Sequence, residues 1–196
     1  KENLNINGLG NIRLQTESDE IEYNIIKTKK DLDFETKFII IKNQFKLDFL
    51  NYQKEPDTNL EILIKGNKAL NKSFFFSKIS LKEKTNSFLL SDLLLSNNYE
   101  IEKLSKISLD YIDKENLKNK VQIKRKNKDY ILDGETLNLN KIIKDILKSK
   151  KRNKKNFFKD TLKIKLNIKK VNLDKESDIQ NLKGFIVLKN NHIIDA

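Results

Sequence analysis

Few side chains in this chain have the types and spacing that catalysis requires. His192 is the only histidine, and the sequence assigns it no serine or carboxylate partner, so triad chemistry is not indicated. The chain has no cysteine, which excludes disulfides and thiolate metal sites, and a single histidine cannot complete a zinc site. We therefore expect a protein that is not an enzyme and that uses no metal or cofactor.

The acidic side chains are scattered over turns and polar strand positions rather than paired for acid–base work. They include Asp31, Asp33, Asp110, Asp113, Asp174 and Asp178. We interpret them as solvated strand positions and turn formers. The segment Gly8-Leu9-Gly10 lacks both the third glycine and the following helix of a dinucleotide loop, so we interpret it as a β-bulge.

The formal net charge of +12 comes almost wholly from lysine, because arginine occurs only at positions 13, 125 and 152. Arginine is the residue expected for bidentate contacts to phosphates and bases, so we expect no nucleic-acid partner. The densest basic run, Lys148–Lys155, fits two interpretations. It is either a solvated connection or a contact with anionic lipid headgroups or an acidic partner.

Apolar and polar residues alternate, with a period of two, through nearly every segment of this chain that could form regular structure. In the clearest case Leu162, Ile164, Leu166 and Ile168 alternate with polar residues, which places all the apolar side chains on one face of a strand. The exception is an amphipathic helix predicted at about residues 140–149 from the spacing of its apolar residues. The predicted fold is mostly β: a long, twisted, curled antiparallel sheet that forms a groove, with one short helix.

The apolar rows are the candidate site, because large exposed apolar surface needs a ligand. The candidate groove residues are Phe34, Phe38, Phe45, Leu47, Phe49, Ile62, Ile64, Phe74, Phe76, Leu109, Ile123 and Ile164. Periodicity leaves two interpretations open. The sheet either closes into a sandwich or barrel with an ordinary core, or stays open and holds lipid chains along its apolar face.

Local signals predict how some strands connect. We expect residues 34–41 and 45–49 to form a hairpin, and a turn at Gly66-Asn67. The apolar parity switches between Phe76 and Ile79, which predicts a bulge. Residues 126–129 predict a further hairpin turn.

The predicted organisation has three parts. Residues 1–150 form a β-rich groove segment that ends in the short helix, residues 151–160 form a basic connection, and residues 161–196 begin the next β unit. The chain contains no methionine, and we expect it to be a segment of a longer protein.

Three stretches carry a likeness to a known family. They are NYQKEPDTNLEILIKG (51–66), DYILDGETLNLNKIIKDILKSK (129–150) and LKIKLNIKKVNLDKESDIQNLKGFIVLKNN (162–191). These stretches resemble the AsmA-like superfamily, especially its YhdP-type members, in three features. The features are a strand that ends in Gly134 before a short helix, a charged connection, and a Leu-x-Gly step before the strand at Phe185.

The resemblance implies a periplasmic protein that is tethered to the bacterial inner membrane by a segment outside this chain. It implies a long sheet whose apolar groove holds or conducts phospholipids toward the outer membrane and so maintains the cell envelope. The expected partners are phospholipid acyl chains and other envelope proteins. Two alternatives remain: a structural or adhesive β-repeat segment with a closed core, and a basic module that binds anionic polymers.

Overall fold

The described part of the chain is mostly β-strand. The computed structural model describes residues 3–13, 17–69, 73–141, 143–144, 161–174, 176–189 and 192–196. The strands are β1 (Leu4–Arg13), β2 (Ser18–Lys27), β3 (Asp31–Ile40), β4 (Lys46–Leu47), β5 (Tyr52–Gln53), β6 (Leu60–Ala69), β7 (Phe74–Glu83), β8 (Asn86–Leu95), β9 (Ile101–Ile112), β10 (Lys118–Lys126), β11 (Asp129–Asn138), β12 (Leu162–Asn172), β13 (Asp178–Lys189) and β14 (His192–Asp195). A 3₁₀ turn, Asp48–Leu50, joins β4 to β5. The predicted mostly-β class is confirmed.

One sheet contains all the strands except β4 and β5. Its order is β1-β2-β3-β6-β7-β8-β9-β10-β11-β12-β13-β14, and it is not closed, because β1 and β14 stand at the two ends of this order. The β11–β12 pair is parallel, whereas the other pairs with a defined register are antiparallel. The prediction of a purely antiparallel sheet is therefore wrong. The long connection after β11 permits parallel pairing, which a tight hairpin cannot.

The chain divides into two compact units. Unit 1 comprises residues 1–45 and 54–105, and unit 2 comprises residues 46–53 and 106–196. In unit 2 the buried core cluster is Val121, Leu137, Ile168 and Val171. The predicted basic connection at 151–160 lies outside the described residues, so a further boundary there stays a prediction.

The predicted helix is not seen as an element of the structure. Asn140, Lys141, Ile143 and Lys144 have helical backbone, and the Ile143 amide donates to the Leu139 carbonyl at 2.8 Å. The remaining residues of the range 140–149 lie outside the described part of the chain.

Three local expectations are wrong. Strand β3 pairs with β2 and β6 rather than with residues 45–49. Gly66 and Asn67 lie inside β6 and make no turn there, because β6 continues to Ala69 opposite β3. Strand β1 pairs with β2 in unbroken register, so Gly8 forms no bulge. A Cβ at Gly8 would lie 2.8 Å from the Tyr23 hydroxyl, so this glycine leaves room for the tyrosine that lies opposite it.

The bulge predicted between Phe76 and Ile79 is confirmed. Gly66 lies opposite Phe76 and Lys65 lies opposite Lys78, so Ser77 is the extra residue in β7 relative to β6. Strand β8 follows β7 without a shift, and Asp92, which lies across from Ser77, has a φ of 52°. The bulge therefore keeps Phe76 and Ile79 on the same face of the sheet. The hairpin turn between β10 and β11 is also confirmed, with Asn127 at a φ of 59°.

Candidate functional site

Unit 1 gathers its apolar side chains on one face of five neighbouring strands, β2, β3, β6, β7 and β8. Residues that lie opposite each other in a β-ladder share a face. Three successive rows cross these strands, and we call them the apolar face of unit 1: Ile21, Phe38, Ile62, Leu81 and Phe88; then Tyr23, Thr36, Ile64, Ile79 and Leu90; then Ile25, Phe34, Gly66, Phe76 and Leu93. The predicted groove residues of these strands therefore lie together.

This face is only partly covered. Burial is greatest at one end, where Ile40 and Leu60 lie opposite each other and are 3% and 0% exposed. Phe34, Phe38, Ile62 and the other predicted members of the face are half-buried. Within the described part of unit 1, strands make their main contacts only with neighbours in the sheet. A strip of apolar side chains therefore stays partly accessible along the face.

Aromatic rings form a chain near the other end of this face. The Phe34 and Phe76 rings meet edge to face with centroids 5.7 Å apart, and Phe74 stacks on Phe76 at 6.4 Å. Phe74 also stacks on Tyr99 at 5.9 Å, and Tyr99 is exposed. The Lys68 ammonium lies 4.1 Å from the centre of the Phe74 ring. The ring chain thus ends in a cation and an exposed phenol.

The opposite face of unit 1 is more polar: it carries exposed ion pairs, together with the apolar residues Ile39, Leu63 and Phe75. Lys37 pairs with Glu61 at 3.0 Å, and Lys65 pairs with Glu35 at 2.8 Å. The hydrogen bond with Glu61 and its negative charge raise the pKa of Lys37. Such exposed pairs add little stability, but they place ion-paired charge on the face opposite the three apolar rows.

Unit 2 contains the three remaining candidates that lie on long strands. Leu109 lies opposite Val121, Ile123 lies between Ile107 and Leu132, and Ile164 lies between Tyr130 and Ile186. All three candidates are half-buried, and Leu109 packs against the buried core cluster of unit 2. Leu109 is therefore partly an ordinary core residue.

Phe45, Leu47 and Phe49 do not belong to the apolar face, which corrects their grouping with the other candidates. Leu47 lies in β4 opposite Tyr52, and Phe49 lies in the 3₁₀ turn with 65% of its surface exposed. Phe45 lies just before β4, and its carbonyl accepts a hydrogen bond from the Lys54 amide.

Tyr52 and Tyr111 explain why residues 46–53 depart from the strand pattern. The two rings are almost completely buried and meet edge to face at 6.0 Å. The Tyr111 hydroxyl donates to the Leu50 carbonyl at 2.9 Å, and the Lys114 amide donates to the Asn51 carbonyl at 2.9 Å. Burial, with the nearby charge of Asp113, raises the pKa of Tyr111 strongly. No pattern in the sequence singled out this pair.

A buried polar network in unit 2 is the other feature that sequence reasoning missed. Asp113 accepts hydrogen bonds from the Glu115 and Leu117 amides and from the side chains of Asn119 and Asn138. Asp113 is 5% exposed, so our interpretation of it as a solvated turn former is half wrong: it forms the turn but is buried. Because these carboxylate oxygens are occupied by protein donors, the network holds strand ends in place. Among the described residues, no group of three or more His, Asp or Glu is placed to hold a metal ion.

The remaining sequence features add nothing to the site. The basic run at 148–155 lies outside the described residues. No helix in the described part of the chain has the length and apolar character needed to cross a membrane. Comparisons of the chain with family models, with curated proteins and with solved structures found no match.

Proposed function

We propose that the apolar face of unit 1 holds the acyl chains of phospholipids, as part of an AsmA-like periplasmic protein that is tethered to the inner membrane and serves lipid transport or envelope maintenance. The observation that supports this most directly is the run of three apolar rows across five strands of a sheet that is not closed. The family assignment itself rests on the sequence likeness described above.

The mechanism is passive. Each methylene that leaves water for the apolar face contributes about 0.8 kcal/mol, so an acyl chain several methylenes long would be held without any specific polar contact. The successive rows offer similar aliphatic and aromatic surface, which keeps the gain nearly uniform and lets a chain slide from one row to the next. No catalytic group is needed.

The distribution of charge on the same face suggests an orientation for the lipid. The next row beyond Phe34 on the same face is Lys27, Leu32, Lys68, Phe74 and Leu95. The three apolar rows contain no lysine, so Lys27 and Lys68 place positive charge only at this end of the face. A phosphate headgroup beside Lys27 or Lys68 would gain a charge-assisted contact while its acyl chains lie on the rows behind it.

Native mass spectrometry of the gently extracted protein tests the proposal. We expect bound phospholipid at a defined stoichiometry, and its loss from Phe38→Asp and Ile64→Asp proteins that remain folded. Ser91→Asp is the matched control, because it adds the same charge at a half-buried position opposite Lys78, on the face away from the apolar rows. A lipid-free, compact wild-type protein would contradict the proposal and favour a structural β segment. Unfolding of both apolar-face variants would instead identify these positions as closed core.

A further inference from the structure

The polar face of unit 2 differs from the polar face of unit 1 in its balance of charge. On β9 to β13 of unit 2, the lysines at polar positions are Lys106, Lys118, Lys120, Lys124, Lys126, Lys163, Lys165, Lys169, Lys170, Lys183 and Lys189, and the acids are Asp110, Asp129, Asp133, Glu135 and Asp178. On β2, β3, β6 and β7 of unit 1, the lysines at polar positions are Lys37, Lys65, Lys78 and Lys82, and the acids are Glu20, Glu22, Asp31, Asp33, Glu35 and Glu61. A compositional preference for lysine would raise the number of lysines on both polar faces equally. The excess of lysines over acids in unit 2 is therefore a property of that surface.

Four of these five acids are already engaged by protein groups, among them Asp178, which pairs with Lys170 at 2.9 Å. Asp110 pairs with Lys118, and Glu135 pairs with Lys120 at 2.8 Å. Asp133 accepts a hydrogen bond from the Asn167 amide at 2.9 Å. Among the described residues, Lys106, Lys124, Lys165 and Lys183 form no ion pair with a carboxylate, and we call these four lysines the basic face of unit 2. Lys163 is not counted with them because its ammonium lies 4.4 Å from the centre of the Phe185 ring.

The basic face follows the rows of the sheet. Lys106 lies directly opposite Lys124, and the same row continues through Ile131 to Lys165. Neighbouring strands are about 4.8 Å apart, and like charges that face each other across a ladder are destabilising. In unit 1 the equivalent pair, Lys65 opposite Lys78, is relieved by the ion pair of Lys65 with Glu35. The Lys106–Lys124 pair has no such relief within the described chain.

We propose that the basic face of unit 2 docks on a bilayer surface that contains anionic lipids. The positive charge of this face is complementary to the negative charge of anionic headgroups. Every cation on this face is a lysine, and its compact point charge can contact a fluid layer of headgroups without a fixed geometry. Nucleic acid is disfavoured because Arg125 lies opposite Tyr130, on the apolar parity, so the face offers no bidentate guanidinium. This docking is independent of acyl-chain binding by unit 1.

Vesicle co-sedimentation of the full chain tests the proposal. The probes are vesicles of phosphatidylcholine alone, vesicles of phosphatidylcholine and phosphatidylglycerol in equal parts, and single-stranded DNA. The test variant changes Lys106, Lys124, Lys165 and Lys183 to Gln. The control variant changes Lys37, Lys65, Lys78 and Lys82 to Gln, which removes the same net charge from unit 1. A thermal melt establishes that both variants fold.

We expect the wild-type protein to bind the mixed vesicles, to dissociate from them at raised salt, and not to bind vesicles of phosphatidylcholine alone. Each lysine near an anionic surface strengthens binding about fivefold, so the loss of four lysines should lower partitioning of the test variant about six-hundredfold while the control stays near wild type. Equal losses in both variants would assign binding to net charge and overturn the proposal. Tight DNA binding without vesicle binding would overturn it in favour of a nucleic-acid interface, and equal binding to both vesicle types would overturn the role of charge.

Discussion

The side chains of Phe34 and Phe76 meet across β6, the strand that lies between their own two strands. Phe34 lies on β3 and Phe76 on β7, and both lie opposite Gly66 of the intervening strand β6. Their rings meet edge to face with centroids 5.7 Å apart because the glycine has no side chain to separate them. Such pairs contribute about 0.5–1.5 kcal/mol beyond their buried area, so Gly66 is a packing residue of the apolar face.

Gly66→Ala should therefore destabilise the protein. The new Cβ would lie 2.3 Å from the Phe75 carbonyl oxygen and 2.8 Å from Cζ of Phe34, so the backbone or the ring must move. We expect the free energy of unfolding to fall by roughly 1–3 kcal/mol in urea titrations. Gly184→Ala is the control: nothing lies within 4 Å of its Cβ, and we expect a gain of about 0.4–1 kcal/mol. Equal effects at the two glycines would refute the packing role.

Asp19 should make stability fall in acid. Burial disfavours its charge, but hydrogen bonds from the Asn43 side chain and from the Ile41 and Lys42 amides outweigh burial and lower its pKa. A lowered folded-state pKa stabilises the protein above the unfolded-state value of about 4, and this contribution is lost as the pH falls further. We expect Asp19→Asn to unfold more easily than wild type at neutral pH, with the difference shrinking below about pH 4.

Chemical denaturation across the acid range measures this effect. Asp33→Asn, at an exposed strand position, is the control and should leave the free energy of unfolding nearly unchanged. A difference between wild type and Asp19→Asn that stays constant through the acid range would contradict the role given to the Asp19 charge.

Tyr111→Phe should loosen the segment 46–53 of unit 2. The variant keeps the ring contact with Tyr52 but leaves the Leu50 carbonyl without the hydroxyl that donates to it at 2.9 Å. The expected cost is about 1 kcal/mol, seen as faster amide exchange in residues 46–53. Tyr99→Phe serves as the control because Tyr99 is 68% exposed. Unchanged exchange in Tyr111→Phe would show that the hydroxyl does not help to hold the segment.

Asn119→Ala should be among the most destabilising polar substitutions in unit 2. Asn119 is fully buried; it donates to Asp113 and to the Leu117 carbonyl, and it accepts from the Asn138 amide at 2.7 Å. Leaving buried partners unsatisfied costs about 1–3 kcal/mol, measured by thermal or urea unfolding. Asn167→Ala removes one exposed hydrogen bond to Asp133 and should change stability by less than about 0.5 kcal/mol. A similar cost at the two positions would argue against a special role for the buried network.

The period-two pattern predicts which residues face which side, but it does not identify the partner of a strand. Residues 45–49 alternate as well as any strand of the sheet, yet they form a short strand and a 3₁₀ turn. Residues that follow directly, Leu50 and Tyr52, contact Tyr111, which is distant in sequence. The alternation of apolar and polar residues does not indicate such contacts. The parallel β11–β12 pair was missed for the same reason.

The candidate site was predictable where local alternation alone defined it. Phe34, Phe38, Ile62 and Ile64 lie on one face because alternation and neighbouring register agree. The buried asparagines were not predictable, because asparagine usually indicates a turn and its burial depends on strand ends that meet only in the folded sheet. The charge difference between the two polar faces likewise appears only after the register is known.

The bulge at Ser77 has a consequence for how such a chain changes length over evolution. Deleting Ser77 alone would bring β7 back into step with β6 but out of step with β8, since β8 follows β7 residue for residue through Asp92. Only the simultaneous loss of Asp92 would keep Phe76 opposite Leu93 as well as Ile79 opposite Leu90. Single-residue insertions and deletions here are therefore coupled between neighbouring strands, and descendants of this sequence should gain or lose such residues in matched sets.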